Sequence, residues 1–480
     1  MLVMKFGGSS VADAERICRA ATLAAEAARS PEAGGKAPVV VVSALGGVTD
    51  RLFALARAAL GGRAAQAETL SLVDDLRLHH EKTLRGVAPD GDAVAEARVA
   101  AYFVELHDIV VGVSLLGELS PRSLDAVTSY GEKLSVQLFA AALRALGTPA
   151  LGVSAEDVVV TDATFGAALP DMAATTARAA MFLAVPASVG QLPVVTGYIG
   201  ATPDGVTTTL GRNGSDYSAA IVGAALGATE VWIWTDVDGV MSADPRLVPH
   251  ARSLPRLDYV ETSELAYFGS KVIHPRTIVP AVSAGVPIRI KNTFNPTHPG
   301  TLITEDRSSA AGAVKAVTMI RALALVTVQG LGMLGVPGIA ARTLATVART
   351  GVNVLMISQS SSESNIALIV PQTDVDNAVA ALRDEFAPEL RRHDVEAVSA
   401  ASPMAILTVV GAGMRGQPGV AGRFFGALGR AGINVSAIAQ GSSEYSISCV
   451  VHDGDAAIEG LRAVHDEFII APTGAIATSA

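Results

Sequence analysis

Residues 2–10 read Leu-Val-Met-Lys5-Phe6-Gly7-Gly8-Ser9-Ser10, and the fold of the first 303 residues follows from them. A mostly apolar run of five fits a buried strand of a parallel sheet. Gly7 and Gly8 end that strand and let backbone N–H groups approach an anion closely. A helical pattern at 13–29 follows, and a helix N-terminus adds a dipole favourable to negative charge. Lys5 supplies a mobile cation at the strand end. The phosphate-loop spacing GxxxxGK[ST] is absent, so taken alone the Gly-Gly turn is only a turn.

The same plan recurs downstream. Val39-Val-Val-Val-Ser43-Ala-Leu-Gly46-Gly47-Val-Thr49-Asp50 is a strand that ends in a Gly-rich loop with two hydroxyls. Strands are predicted at Leu2–Phe6, Val39–Ser43, Val194–Tyr198, Glu230–Thr235 and Pro287–Lys291, and helices at 13–29, 131–146 and 215–226. That alternation predicts an α/β fold, a mostly parallel sheet sandwiched by helices. Ligands of such folds sit beyond the carboxyl ends of the strands.

Three further segments carry chemistry. Ser129-Tyr-Gly-Glu132-Lys133 reads as a helix opening, with Glu132 a favourable first-turn charge. In Gly211-Arg212-Asn213-Gly214-Ser215-Asp216, the glycines allow tight turns and Ser215 fits a helix cap. Arg212 is suited to a two-pronged grip on a carboxylate. Asp216 is either a cap partner or a group that orients an ammonium. Val231-Trp-Ile-Trp-Thr235-Asp236-Val-Asp238 is a strand ending in an acidic turn, with Asp244-Pro245-Arg246 beyond it. Phe268-Gly-Ser-Lys271-Val-Ile-His274 places a lysine and a histidine near a helix, the histidine read as structural. His79 and His80 fall in a charged helical stretch and read as solvated, with no metal spacing.

The C-terminal third repeats itself. Gly351-Val-Asn353-Val-Leu-Met-Ile-Ser-Gln359 matches Gly432-Ile-Asn434-Val-Ser-Ala-Ile-Ala-Gln440 at an offset of 432 − 351 = 81 residues. Met333, Gly335, Pro337 and Gly338 recur as Met414, Gly416, Pro418 and Gly419. Each copy reads as a small βαββαβ module closed by helices at 374–385 and 455–468. GxGxxG stands after a strand in both copies. No ribose-binding acid follows, and each unit is too short for a doubly wound domain, so dinucleotide binding is not expected. The expected domains are 1–303, a linker at 304–313, and modules at 314–398 and 399–480.

Composition narrows the function. The 480 residues are 50% hydrophobic and 17% charged, which excludes a globally disordered chain. Thirty-six Lys and Arg against 46 Asp and Glu give a net charge of −10, which argues against nucleic acid as the partner. Cys18 and Cys449 form no disulfide framework and fit a reducing cytoplasm. MLVMKFGG has no signal-peptide run. The uncharged stretches 179–203 and 322–341 are broken by prolines and glycines, so no membrane span is expected.

Six ordered segments together resemble the aspartate kinases of the amino-acid kinase superfamily: KFGGSSV at 5–11, VVSALGGVTD at 41–50, SYGEKLS at 129–135, TTLGRNGSDYSAA at 208–220, WTDVDGVMSADPR at 234–246 and ELAYFGSKVIHPRT at 264–277. The paired repeats look like tandem ACT domains. GRNGSDYSAA and the QSSSE turn are similar to the kinase half of bifunctional aspartate kinase–homoserine dehydrogenases, with no dehydrogenase expected after residue 480.

The resemblance implies phosphorylation of L-aspartate by ATP with Mg²⁺ to give 4-phospho-L-aspartate. It implies Lys5 on the transferred phosphoryl group and backbone donors at Gly7, Gly8 and Ser9. Glu132 would take the substrate α-ammonium and Arg212 the α-carboxylate, with Ser43, Thr49 and Ser215 nearby. Asp216 would orient Lys5 or the ammonium. Thr235, Asp236, Arg246 and Lys271 would face the nucleotide. Met241 stands where a tyrosine is common in the family. No protein cage for metal is implied. Asn353, Gln359, Asn434 and Gln440 are the implied effector contacts, for threonine or lysine, in a homodimer or larger homo-oligomer. The competing readings are another kinase of this superfamily and a non-enzymatic amino-acid sensor.

Overall fold

The computed structural model describes residues 1–30, 36–269, 274–305 and 314–470. They divide into two compact units. One comprises Met1–Val240, Pro255–Tyr259 and Val272–Glu305; the other comprises Met241–Leu254, Val260–Lys271 and Asp306–Ala480.

The first unit is built on an eight-stranded sheet. Its strands are β1 (Leu2–Phe6), β2 (Val39–Val42), β3 (Ala150–Val153), β4 (Leu192–Thr196), β7 (Glu230–Thr235), β8 (Arg256–Asp258), β9 (Ile288–Asn292) and β10 (Thr301–Thr304). A separate hairpin pairs β5 (Ile199–Ala201) with β6 (Thr207–Thr209). The sheet order is β3-β4-β2-β1-β7-β9-β10-β8, and every pairing is parallel except β9 with β10. The expected mostly parallel sheet is therefore present. The strand expected at Val194–Tyr198 begins and ends two residues earlier, and Tyr198 turns out of it at φ +67°.

Strand alternation fixes where Lys5 points. The helices before β3 are α1 (Ala14–Arg29), α2 (Val48–Ala59), α3 (Gly62–Val87), α4 (Ala93–Leu116) and α5 (Pro121–Ala145). Met4 and Phe6 face the core shared with α5, where the Phe6 ring lies 5.4 Å from Phe139 and 5.8 Å from Trp234. Lys5 therefore projects to the opposite face. There it meets the helix Gly214–Ala225.

Two local expectations are corrected. Helix α5 starts at Pro121, not near 131; Ser120 caps it by accepting from Ser123 N, and proline occupies the first turn. Glu132 is consequently a mid-helix residue, not a first-turn charge. His80 is fully buried, with Nδ1 2.7 Å from the Leu76 carbonyl, while His79 is half-buried. Burial lowers the His80 pKa to about 4, so this imidazole is neutral at pH 7.

Helix α5 packs so closely on the β2 loop that Gly131 has no room for a side chain. A Cβ there would lie 2.8 Å from Ala44 Cβ and 3.3 Å from Leu52 Cδ1. Gly131→Ala is expected to lower stability by about 1–3 kcal/mol through overpacking, read as a lower midpoint in urea unfolding. An unchanged midpoint would mean that the helix shifts freely.

One described helix, Ala93–Leu116, is long and apolar enough to cross a membrane by length and composition. Its Val99, Phe103, Leu106 and Val110 are buried at helical spacing, as in a core helix.

In the second unit, six strands form one sheet: β11 (Ala316–Gln329), β12 (Met356–Gln359), β13 (Asn365–Pro371), β14 (Ala397–Val410), β15 (Ala437–Gln440) and β16 (Ser446–His452). The order is β12-β13-β11-β14-β16-β15, and all pairings are antiparallel. The long strands β11 and β14 pair with register shifts between Ile320 and Leu325, and each serves both repeats. Residues 323–329, β12, β13 and 397–401 make one four-stranded set. Residues 404–410, β15, β16 and 316–320 make the other. Each set is a βαββαβ module, the second taking its last strand from upstream of the first. Separate apolar cores, one per repeat, centre on Phe386 and Phe424. Of the expected linker, Thr304 ends β10, and 306–313 lie outside the described residues.

Candidate active site

A cavity of about 620 Å³ opens in the first unit at the carboxyl ends of β1, β2 and β4. Its wall brings together Lys5, Gly8, Ser43, Thr49, Glu132, Arg212, Ser215 and Asp216, residues drawn from four distant segments. This is the position where open parallel sheets hold ligands, because strand ends and helix N-termini converge there.

Lys5 Nζ stands 2.6 Å from Asp216 Oδ1, with side-chain exposures of 10% and 13%. Glycine at position 7 makes room for it, since a Cβ there would lie 3.1 Å from Nζ. The Gly7 N–H is not available to a ligand; it donates to the Trp234 carbonyl at 3.3 Å. Asn213, at φ +55°, starts the helix that carries Asp216, and no side chain caps it. Ser215 is therefore a buried residue inside the helix and not its cap. Gly197 permits this packing, for a Cβ there would lie 2.7 Å from Ser215 Cβ.

Glu132 is 3% exposed. Its Oε1 accepts from Ala44 N at 3.1 Å, whereas Oε2 has no hydrogen-bond partner among the described residues. Burial raises its pKa to about 8, against a partial opposing effect of the Ala44 hydrogen bond. The neighbouring Lys133 turns away and pairs with Glu156 Oε1 at 2.9 Å. Arg212 is exposed at the cavity rim and has no ion-pair partner among the described residues. The wall thus offers one paired cation, one open cation and one buried carboxyl group with an unpartnered oxygen. That set can hold a zwitterion beside a polyanion.

Some expected residues lie off this wall. Thr235 ends β7, and its hydroxyl donates to Asp236 Oδ1 at 3.1 Å. Ser9 gives its carbonyl to Arg16 Nη1 at 2.9 Å. Arg246 belongs to the second unit, is largely exposed and pairs with Asp244 at 2.6 Å. Lys271 lies outside the described residues. Conversely, the wall includes Asp125, Tyr198 and Thr209, which motif reading did not single out.

In the second unit, a cavity of about 340 Å³ lies between the Gly-rich loop 414–421 and the end of β15, lined by Gln440 and Glu444. Asn434 is exposed and precedes the strand instead of lying on it, as does Asn353. Gln359 ends β12 as Gln440 ends β15.

Residues 1–292 match the amino acid kinase family, and residues 326–386 and 407–468 each match the ACT domain. A bifunctional aspartokinase/homoserine dehydrogenase of Haemophilus influenzae is 37% identical over 473 residues, 97% of this chain and 56% of that protein. The chloroplastic aspartokinase 3 of Arabidopsis thaliana is 32% identical over 488 residues, 99% of this chain and 85% of that one. The chain belongs to the aspartokinases of the amino acid kinase family. Its fold agrees with its membership. E. coli aspartokinase III, solved in complex with lysine and aspartate, is 30% identical with a TM-score of 0.79, covering 98% of this chain and 99% of that one. The same E. coli protein with aspartate and ADP gives a TM-score of 0.75, covering 97% and 99%. This family member spans about half the length of the bifunctional relatives it matches.

Proposed function

We propose that this chain is an aspartate kinase, transferring the γ-phosphoryl group of ATP to the side-chain carboxylate of L-aspartate to give ADP and 4-phospho-L-aspartate. This reaction opens the route to lysine, threonine, methionine and isoleucine. The observation that carries the reading is the single cavity lined by Lys5, Arg212 and the buried Glu132. The E. coli relative's complexes with aspartate and with ADP support it.

The chemistry asks little of the protein in proton transfer. The attacking carboxylate, with a reference pKa of about 3.9, is already ionised at pH 7. Its oxygen attacks the γ-phosphorus, the bond to the β,γ-bridging oxygen breaks, and ADP leaves with that electron pair. The barrier is repulsion between two anions, so catalysis is positioning and positive charge. Lys5 meets the charge on the transferred group, and Asp216 orients Lys5. Glu132 takes the α-ammonium and Arg212 the α-carboxylate; Ser43, Thr49 and Ser215 complete the aspartate side. Gly7 shapes the phosphate turn, and Gly8 with Ser9 borders it. Thr235, Asp236, Arg246 and Lys271 are assigned to the nucleotide side. Among the described residues no three acidic, His or Cys side chains gather to cage a metal. Magnesium would come with ATP, held by phosphates and water.

The catalytic part is assigned to 1–303, with 304–313 as linker. The ACT modules, assigned to 314–398 and 399–480, are proposed to bind a feedback amino acid, threonine or lysine, through Gln359 and Gln440 with Asn353 and Asn434 nearby. The lysine complex of the E. coli relative supports an amino-acid effector. Gln359→Ala is expected to weaken inhibition while sparing the uninhibited rate. Inhibition curves with each amino acid check this; unchanged inhibition moves the site elsewhere. A homodimer and a cytoplasmic setting complete the proposal, the latter supported by two cysteines without a disulfide.

Trapping of acyl phosphate by hydroxylamine, with ATP and either aspartate or glutamate, tests the function. Aspartate hydroxamate is the expected product. Activity on glutamate alone would favour another kinase of the family, and no activity on any carboxylate would favour a sensor.

A further inference from the structure

Asp125 lies two helical turns before Glu132 on α5, on the same face, and is 2% exposed on the cavity wall. Its Oδ2 accepts from Gly166 N and Thr209 N, both at 2.9 Å, and its Oδ1 accepts from the Thr209 hydroxyl at 2.8 Å. No cation pairs with it among the described residues. One carboxylate therefore ties two loops, 41 and 84 residues away in the chain, to the helix that carries Glu132. The loops also press on each other: a Cβ at Gly211 would lie 3.0 Å from the Gly166 carbonyl. Thr209 ends β6, three residues before Arg212. Burial pushes the Asp125 carboxyl pKa up, and the three donated hydrogen bonds oppose that shift.

We infer that Asp125 is a positioning residue for the amino-acid substrate: through Thr209 and Gly166 it fixes the span between the Glu132 carboxylate and the Arg212 guanidinium. The inference rests on the proposed assignment of those two groups to the two ends of an α-amino acid. An α-ammonium and its own carboxylate are separated by a fixed short distance, so their receptors must be held at a matching one. No other described residue links α5 to both loops through one side chain. The fixed span concerns aspartate and not ATP, and that distinguishes positioning from general support of the fold.

The test compares wild type, Asp125→Asn and Thr209→Val in steady-state assays with hydroxylamine trapping. An asparagine directs its NH₂ toward one of the three donors, so at least one bond is lost. Asp125→Asn is expected to raise KM for aspartate at least about tenfold, with KM for ATP within about twofold of wild type and kcat falling by less than KM rises. Thr209→Val keeps the backbone donor but removes the hydroxyl, which bonds Asp125 and also Tyr198, and is expected to move aspartate KM in the same sense by a smaller factor. If Asp125→Asn does not fold, the Thr209→Val comparison decides. Equal rises in both KM values, or a fall in kcat with aspartate KM unchanged, would overturn the inference. A wild type that turns over no aspartate would instead remove the proposed function and this inference with it.

Discussion

Lys5→Ala is expected to lower kcat by at least about 10²-fold, the usual loss on deleting one donor to developing transition-state charge. Two features of the site argue for a loss at the upper end. The Lys5 ammonium is nearly buried, so no solvent cation replaces it without reorganisation. Its removal also leaves Asp216, 13% exposed, as an uncompensated negative charge beside the incoming phosphates. KM for aspartate should change less than kcat, because the role proposed for Lys5 is on the transferred group and not on the ends of the amino acid. Stopped assays at saturating ATP and aspartate check this, and undiminished turnover would remove Lys5 from its role.

The second large effect concerns Glu132 and carries a pH signature. In the free protein its pKa is raised to about 8 by burial, so at pH 7 it is mostly protonated. In the role proposed for it, Glu132 receives the α-ammonium in its carboxylate form. Aspartate binding should then release a proton, and affinity should strengthen about tenfold per pH unit from roughly pH 6 to 8, then level off. The sign for the empty protein is opposite. A folded-state pKa raised above the ordinary 4.5 gives stability that is full below that value and lost as pH rises through about 8. The loss is about 1.4 kcal/mol per pH unit inside that window. Glu132→Gln should abolish both slopes and raise aspartate KM by roughly 10- to 100-fold, the worth of a hydrogen bond to a charged group. Calorimetric titration in buffers of different ionisation enthalpy counts the released proton. No proton release at pH 7 would exclude Glu132 as the ammonium receptor.

Much of the fold was legible because the parallel strands are short apolar runs with abrupt Gly-rich ends. Leu2–Phe6 and Glu230–Thr235 have the expected limits for that reason. The repeat offset of 81 residues exposed the two ACT modules but not their exchange of strands. A repeat shows that β11 and β14 correspond, since 316–329 maps onto 397–410 at the same offset, but it does not show which copy each half of the strand pairs with. Ser129 and Gly131 look like punctuation, and from sequence alone Glu132 therefore reads as opening a helix. The true start, Ser120-Pro121, carried a recognisable cap signal. Asp125 gave no signal, since a single aspartate on a helix forms no pattern and its partners lie far along the chain. His80 looked solvated among charged residues, yet it falls on the buried stripe with Leu76 and Leu84.

The central claim is that the cavity at the ends of β1, β2 and β4 holds L-aspartate between Glu132 and Arg212 with its side chain toward Lys5. A crystal structure with L-aspartate and ADP tests it most directly. The account expects the α-ammonium within hydrogen-bond reach of Glu132 Oε2, the α-carboxylate on Arg212, and the side-chain carboxylate on the Lys5 side. Aspartate bound elsewhere, or bound here in reverse with its α-carboxylate toward Lys5, would contradict it.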